Sequence, residues 1–309
     1  MSKIFRYYQA EADNLIYDAL LLFCKCIVKM FCGTGKSLIM RKCKSVENKK
    51  LVVYVFPSLC LIDQFYSDYL HDFPTDNILK ISSECESTTE PIRIRQFLSL
   101  LSDKIICITY QSFKTLLDNL GETKINVCVF DEAHHAVGET YQKLIFENDL
   151  CEKQIFFTAT PKNANGIVMY DRENIESGMC GNLVYDYSYL RGMNEGYLNP
   201  FEIRIDMYTE NNNKSILESI ARAILSSSNS RVLTFHSSVS VELGDTSVMN
   251  FVNEEEFKKI FEEVRKKEFP KSKKPKKISM VALTASIPAK QRITDSPSRL
   301  TWNSMIRPR

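Results

Sequence analysis

Short β-rich runs alternate with longer amphipathic segments through the first half of the chain. The runs are CIVKMF, LVVYVF, NILKIS, KIICIT, INVCVF and QIFFTA, which fall between residues 26 and 159. The segments between them are SLIMRKC, LCLIDQFYSDYL, PIRIRQFLSLL, QSFKTLLDNL and ETYQKLIFEN, each with helical spacing of its apolar residues. This alternation predicts an α/β fold with a parallel sheet and helices on both faces. In such sheets ligands sit beyond the carboxyl ends of the strands, so the residues that close each apolar run are the ones to inspect.

After about residue 160 the pattern changes. A stretch rich in Gly, Asn and Tyr, ending in GYLNP, carries the expected boundary between a unit of residues 1–199 and one of residues 200–309. The second part reads as strand FEIRIDM, helix KSILESIARAIL, strand RVLTFH, helix EEEFKKIFEEVRKKE and strand ISMVALT, the start of another α/β unit. The lysine-rich, proline-broken KEFPKSKKPKK is read as a solvated loop, with a phosphate-contacting loop or a nuclear-import signal as alternatives. Glu254, Glu255, Glu256, Glu262 and Glu263 just before it weaken the case for a wholly basic face.

With 309 residues and a net charge of +2, the chain does not advertise a nucleic-acid binder, so any such site must be local. None of its ten cysteines forms a CxxC pair, and several sit inside apolar runs, as Cys107 and Cys128 do. A reducing compartment without a disulfide framework is the expectation. MSKIFRYYQAEAD lacks the apolar core of a signal peptide, and Lys25 and Lys29 interrupt the most hydrophobic stretch. The protein is therefore read as soluble and intracellular, in cytoplasm, nucleus or virion, with no membrane partner.

Two strand ends carry chemistry. MFCGTGKS, residues 30–37, follows one apolar run and opens a helix, the setting of a phosphate-binding loop. Gly33 and Gly35 let the backbone N–H groups of Cys32, Gly33, Thr34 and Gly35 curl around a phosphate, and the helix N-terminus adds partial positive charge. Lys36 would reach the outer phosphates and Ser37 would ligate magnesium. The usual pattern begins with Gly where this chain has Met30. The second end is VCVFDEAHH, residues 127–135. Isolated carboxylates are costly to bury, so Asp131 and Glu132 need a partner. Asp131 can hold the magnesium of a bound ATP, and Glu132 can orient or deprotonate the attacking water. Capping of the following helix is the competing reading of this pair. With no HExxH, no CxxC and four histidines in all, zinc is not expected. His134 is read as a hydrogen-bonding coupler near the γ-phosphate and His135 as a solvated or packing neighbour.

GTGKS, then DEAH, then Thr158-Ala159-Thr160 resembles motifs I, II and III of superfamily 2 helicases, in order. RYYQAEAD resembles the adenine-reading motif and points to Gln9; VFPSLCLIDQF resembles motif Ia of the type III restriction enzyme-like branch; ITYQSF resembles motif Ib. GYLNPFEI resembles the passage between two motor domains, and RVLTFHSSV the start of motif IV. Together these are similar to helicases of large DNA viruses and to restriction-like ATPases. The resemblance implies a RecA-like P-loop domain followed by a second RecA-like domain, with ATP and magnesium as cofactors and nucleic acid as partner, DNA favoured over RNA. Pro57, Ser58, Thr109 and Gln111 would contact strand phosphates, and Thr158 and Thr160 would relay the nucleotide state.

The family would close its ATP site with a motif resembling QxxGRxxR, which does not occur here. Arg299, Arg307 and Arg309 lack its flanking glutamine and glycine. The second RecA-like domain is thus expected to be incomplete, without motifs V and VI, and the chain to bind ATP but hydrolyse it poorly. Three functions stay open at this point: a helicase or translocase, a nucleotide-gated nucleic-acid clamp, and a P-loop ATPase acting on proteins.

Overall fold

The structure, a computed structural model, describes residues 4–43, 51–83, 88–146, 149–162, 166, 168–170, 181–201, 213–226 and 254–271. The chain divides into two compact units, Met1–Phe201 and Glu202–Arg309.

In the first unit, α1 (Tyr7–Leu22) leads into β1 (Lys25–Met30) and α2 (Lys36–Lys42). These are followed by β2 (Leu51–Phe56), α3 (Leu59–Tyr69), β3 (Ile78–Ile81), α4 (Pro91–Leu98), β4 (Lys104–Thr109) and α5 (Phe113–Leu117). The rest is β5 (Ile125–Phe130), α6 (Glu139–Phe146), β6 (Cys151–Thr158), β7 (Asn182–Tyr187) and α7 (Tyr189–Asn194). The seven strands form one sheet in the order β3-β4-β2-β5-β6-β1-β7, every neighbouring pair parallel. The six strands expected from the sequence are all present.

Side-chain alternation explains why these runs are apolar almost throughout. Val52, Tyr54 and Phe56 of β2 point to one side, where Ala12 and Ile16 of α1, Ile39 of α2 and Ile62 and Phe65 of α3 cover them. Val53 and Val55 point to the other side, toward Ile94 of α4, Phe113 and Leu116 of α5 and Ile145 of α6. A strand wet on neither face has no polar positions to alternate with.

Two elements are additional to the sequence reading. The segment from Tyr7 to Leu22 is one helix, whose buried residues Tyr8, Ala12, Ile16, Ala19 and Leu20 recur at helical spacing. Lys153 closes its far end, donating from Nζ to the carbonyls of Leu20 (2.7 Å) and Phe23 (3.1 Å). NLVYDY forms a seventh strand inside the Gly-, Asn- and Tyr-rich stretch. As an edge strand it keeps several residues half exposed, which breaks the apolar signal. It begins after Gly181, whose φ is +77°.

In the second unit, α8 (Asn213–Ser226) packs on α9 (Glu254–Glu268) through Leu217, Ala221 and Ile224 against Phe257, Phe261 and Val264. Arg222 ties the two helices together, donating to the Glu268 carboxylate at 3.0–3.1 Å. Both helices match the sequence reading. The expected strands at residues 231–236 and 278–284, all but Phe201 of the one at residues 201–207, and residues 272–277 of the lysine-rich stretch lie outside the described residues.

Candidate nucleotide-binding site

β1 ends at Met30 and the chain turns through residues 31–35 into α2. Gly33 and Gly35 have φ of +83° and +80°, in the left-handed region that favours glycine. Thr34 closes the turn: its hydroxyl donates to the Phe31 carbonyl at 2.6 Å. Its own carbonyl accepts two bonds from α1, one from the Tyr8 hydroxyl and one from the Gln9 amide, each 2.9 Å. The approach is close, since a Cβ on Gly35 would stand 2.5 Å from Gln9 Nε2. Gln9 Oε1 in turn accepts the Arg6 backbone N–H at 2.9 Å. Cys32 and Gly33 are exposed, and Lys36 and Ser37 are half buried in the first turn of α2.

β5 delivers the acids. The Asp131 N–H donates to the Val55 carbonyl at 2.9 Å, carrying the β2–β5 pairing one residue past the strand. Its carbonyl accepts the buried Tyr110 hydroxyl, also at 2.9 Å. The Asp131 side chain is buried, and that burial pushes its carboxyl up from 3.8 to about 6, against the opposing pull of Lys36 and with a smaller push from Glu132. Glu132 has φ +46°, alone among the described non-glycine residues in being positive. That turn brings Glu132 Oε1 to 3.4 Å from Lys36 Nζ. A left-handed glutamate costs about 1–3 kcal/mol, which the Tyr110 and Val55 anchors help to hold.

Strand order does the rest. β6 lies between β5 and β1, with Thr158 opposite Lys29 of β1, so the end of β6 falls between the acids and the phosphate loop. His134 Nδ1 stands 3.3 Å from Thr158 Oγ1 and 3.4 Å from Thr160 Oγ1. The Thr160 N–H donates to Thr158 Oγ1 at 3.1 Å, so both threonines and His134 meet at one point. Burial lowers the His134 pKa, with the neighbouring His135 acting in the same direction and Glu132 opposing, which favours the neutral ring. His135 is exposed and its ring lies 4.5 Å from that of His134.

Among the described residues no group of three or more His, Cys, Asp or Glu side chains could cage a metal. Ser37 in the first turn of α2 and Asp131 just past β5 carry hard oxygen donors. Two protein oxygens with water and phosphate completing the shell is the set that suits magnesium, so the residues fit that ion.

Pro57 and Ser58 follow β2, and Thr109 ends the adjacent β4, paired in register with Phe56. These positions share the carboxyl edge of the sheet with the phosphate loop. Gln111 and Ser58 are exposed, but the Thr109 hydroxyl is buried and donates to Ser112 at 3.2 Å, leaving backbone as what Thr109 can offer a strand. Two residues that sequence reasoning passed over, Tyr8 and Tyr110, hold the site together. The signal for both was a tyrosine in a buried run, whose hydroxyl must find a partner.

No helix among the described residues is long and apolar enough to cross a membrane. The family description "Type III restriction enzyme, res subunit" matches residues 2–163, more than half of the chain. The chain is 28% identical over 217 residues to a probable helicase of African swine fever virus, covering 65% of this chain and 24% of that protein. It is 26% identical over 211 residues to the type I restriction enzyme EcoAI endonuclease subunit of Escherichia coli, with the same coverage. It thus spans about a quarter of the curated relatives it matches. Among solved structures, the ATP-dependent type ISP restriction-modification enzyme LlaBIII bound to DNA superposes with a TM-score of 0.64 at 16% identity, over 84% of this chain and 21% of that one. The shared fold is the RecA-like helicase domain, and the chain belongs to the type III restriction enzyme res-subunit family of superfamily 2 helicases.

Proposed function

We propose that the chain carries the ATP-hydrolysing core of a nucleic-acid translocase or helicase that works on DNA. The carrying observation is the 3.4 Å pairing of Lys36 with Glu132, brought together from β1 and β5 across the intervening β6. A partly exposed ion pair at a loop mouth is a poor source of stability. It is a good way to store a cation for phosphate and a base for water until a nucleotide separates them.

In this reading Lys36 leaves Glu132 for the terminal phosphates. Glu132, no longer neutralised, accepts a proton from the attacking water. Asp131 and Ser37 would hold magnesium, which would supply positive charge against the phosphates. His134, neutral and bonded to Thr158, links this centre to the end of β6. Ser58 and Gln111, which are exposed, with Pro57 and the Thr109 backbone beside them, would grip strand phosphates without reading bases. Residues 1–199 would form the first motor domain and 200–309 part of the second. The preference for DNA is supported by kinship with restriction enzyme subunits and by the DNA in the LlaBIII structure.

The test is ATP hydrolysis with single-stranded DNA, duplex DNA and RNA side by side. Stimulation by DNA above RNA is expected. Hydrolysis indifferent to every strand would favour an ATPase acting on proteins, and stimulation without strand displacement would favour a nucleotide-gated clamp. Failure to bind ATP would overturn the proposal.

A further inference from the structure

We propose that Tyr8 is a positioning residue of the phosphate loop, fixing the direction in which the Gly35 N–H points. This rests on the nucleotide-binding reading of the site and adds to it the way the loop is kept ready for a triphosphate.

In a trans peptide the carbonyl and the following N–H point in opposite directions. The Thr34–Gly35 peptide is trans, as are all peptide bonds described. Its carbonyl is held on the α1 side by two donors, Tyr8 Oη and Gln9 Nε2, both at 2.9 Å. The Gly35 N–H is therefore aimed away from α1, as a phosphate-binding loop requires. A free loop would lose conformational entropy at each binding event, whereas a clamped one is already ordered.

Tyr8 is itself held rigidly. It is fully buried, and its ring stacks on Tyr187 of β7 with centroids 4.2 Å apart and planes 19° apart. The Tyr197 ring meets it edge-on at 5.0 Å. Arg6 Nη1 donates to the same Tyr8 hydroxyl at 3.1 Å, so the oxygen accepts one bond and gives its proton to Thr34. Both bonds together fix the hydroxyl in rotation. Gly35 is the residue that permits the clamp, since any Cβ would collide with Gln9.

The experiment compares wild type with Tyr8→Phe, which keeps the stacked ring and removes the hydroxyl. Affinity is measured for magnesium–ATP and for magnesium tripolyphosphate, which has no base. The expected result is a loss of about 3- to 10-fold for both ligands by the same factor, the scale of one hydrogen bond. Tyr187→Phe is the structural control. It removes the Tyr187 hydroxyl bond to Glu195 (2.5 Å) while leaving the stack and the clamp, and should leave both affinities unchanged. Should Tyr8→Phe not fold, Gln9→Leu removes the other donor to the same carbonyl, and its tripolyphosphate affinity is expected to fall in the same range.

Tyr8→Phe binding tripolyphosphate as wild type does would overturn the proposal, as would an equal loss in Tyr187→Phe. So would a wild-type chain that binds ATP but not tripolyphosphate, because the loop would then supply no phosphate affinity to lose. If instead ATP binding is absent, or is untouched by Lys36→Ala, it is the nucleotide-binding reading that fails.

Discussion

Replacing Asp131 with asparagine should stabilise the protein at neutral pH in metal-free buffer. Burial raises the Asp131 pKa from 3.8 to about 6. Between those values the folded chain holds a proton that the unfolded chain has released. Stability therefore falls as pH rises through that window, and above it the deficit is fully present. A shift of this size corresponds to about 3 kcal/mol, with the attraction of Lys36 already included. Asparagine stays neutral and keeps the shape, but its amide needs a partner, a cost of about 1 kcal/mol. A net gain of about 2 kcal/mol is expected at pH 7.5, read from urea denaturation with a chelator present. At pH 3 the gain should vanish, because the wild-type carboxyl is then largely protonated in both states. An Asp131→Asn variant less stable than wild type at pH 7.5, or differing equally at both pH values, would refute the reasoning. The same substitution should weaken magnesium-dependent nucleotide binding, so stability and function would move in opposite directions.

Lys36→Ala should abolish binding of a fluorescent ATP analogue while leaving the far-ultraviolet circular dichroism unchanged, since Lys36 sits in a loop mouth rather than in the core. Glu132→Gln should retain magnesium–ATP in equilibrium binding but lose hydrolysis; wild-type turnover would return the pair to a structural role. Gly181→Ala should lower the urea midpoint, because its φ of +77° costs a side chain about 1–3 kcal/mol and the new Cβ would stand 2.5 Å from the Lys25 carbonyl oxygen, where backbone cannot give way. An unchanged midpoint would mean that β7 adds little to the fold.

The central strands were legible because burial on both faces leaves little room for polar residues; β2 and β4 are buried at all six positions. The edge strand β7 was not, since Asp186 on it is exposed and pairs with Lys29 at 2.8 Å, breaking the apolar run. Helix α1 was obscured by LLLF at its end, where Leu21 and Leu22 are exposed and blur the helical period. At the site, the sequence names Lys36, Asp131 and Glu132 because phosphate chemistry restricts residue types there. What it does not carry is direction: nothing in DEAH announces a left-handed glutamate, and nothing in YYQ says that both side chains converge on one carbonyl. Those depend on contacts between residues far apart in the chain, Tyr8 with Thr34 across 26 positions and Lys36 with Glu132 across 96.

The strand that carries the phosphate loop pairs with β6 on one side and β7 on the other. Both partners are made long after it, from residue 151 onward, while β2, β3, β4 and β5 find one another earlier in the chain. In synthesis order the loop sequence therefore emerges well before either partner strand, and β1 has no neighbour until β6 is made. Such non-local closure slows folding and leaves an unpaired strand open to wrong partners in the meantime. It also means that nucleotide cannot guide the early steps: a nascent chain that stops short of Cys151 has the whole phosphate-loop sequence but no strand to pair with the one that carries it.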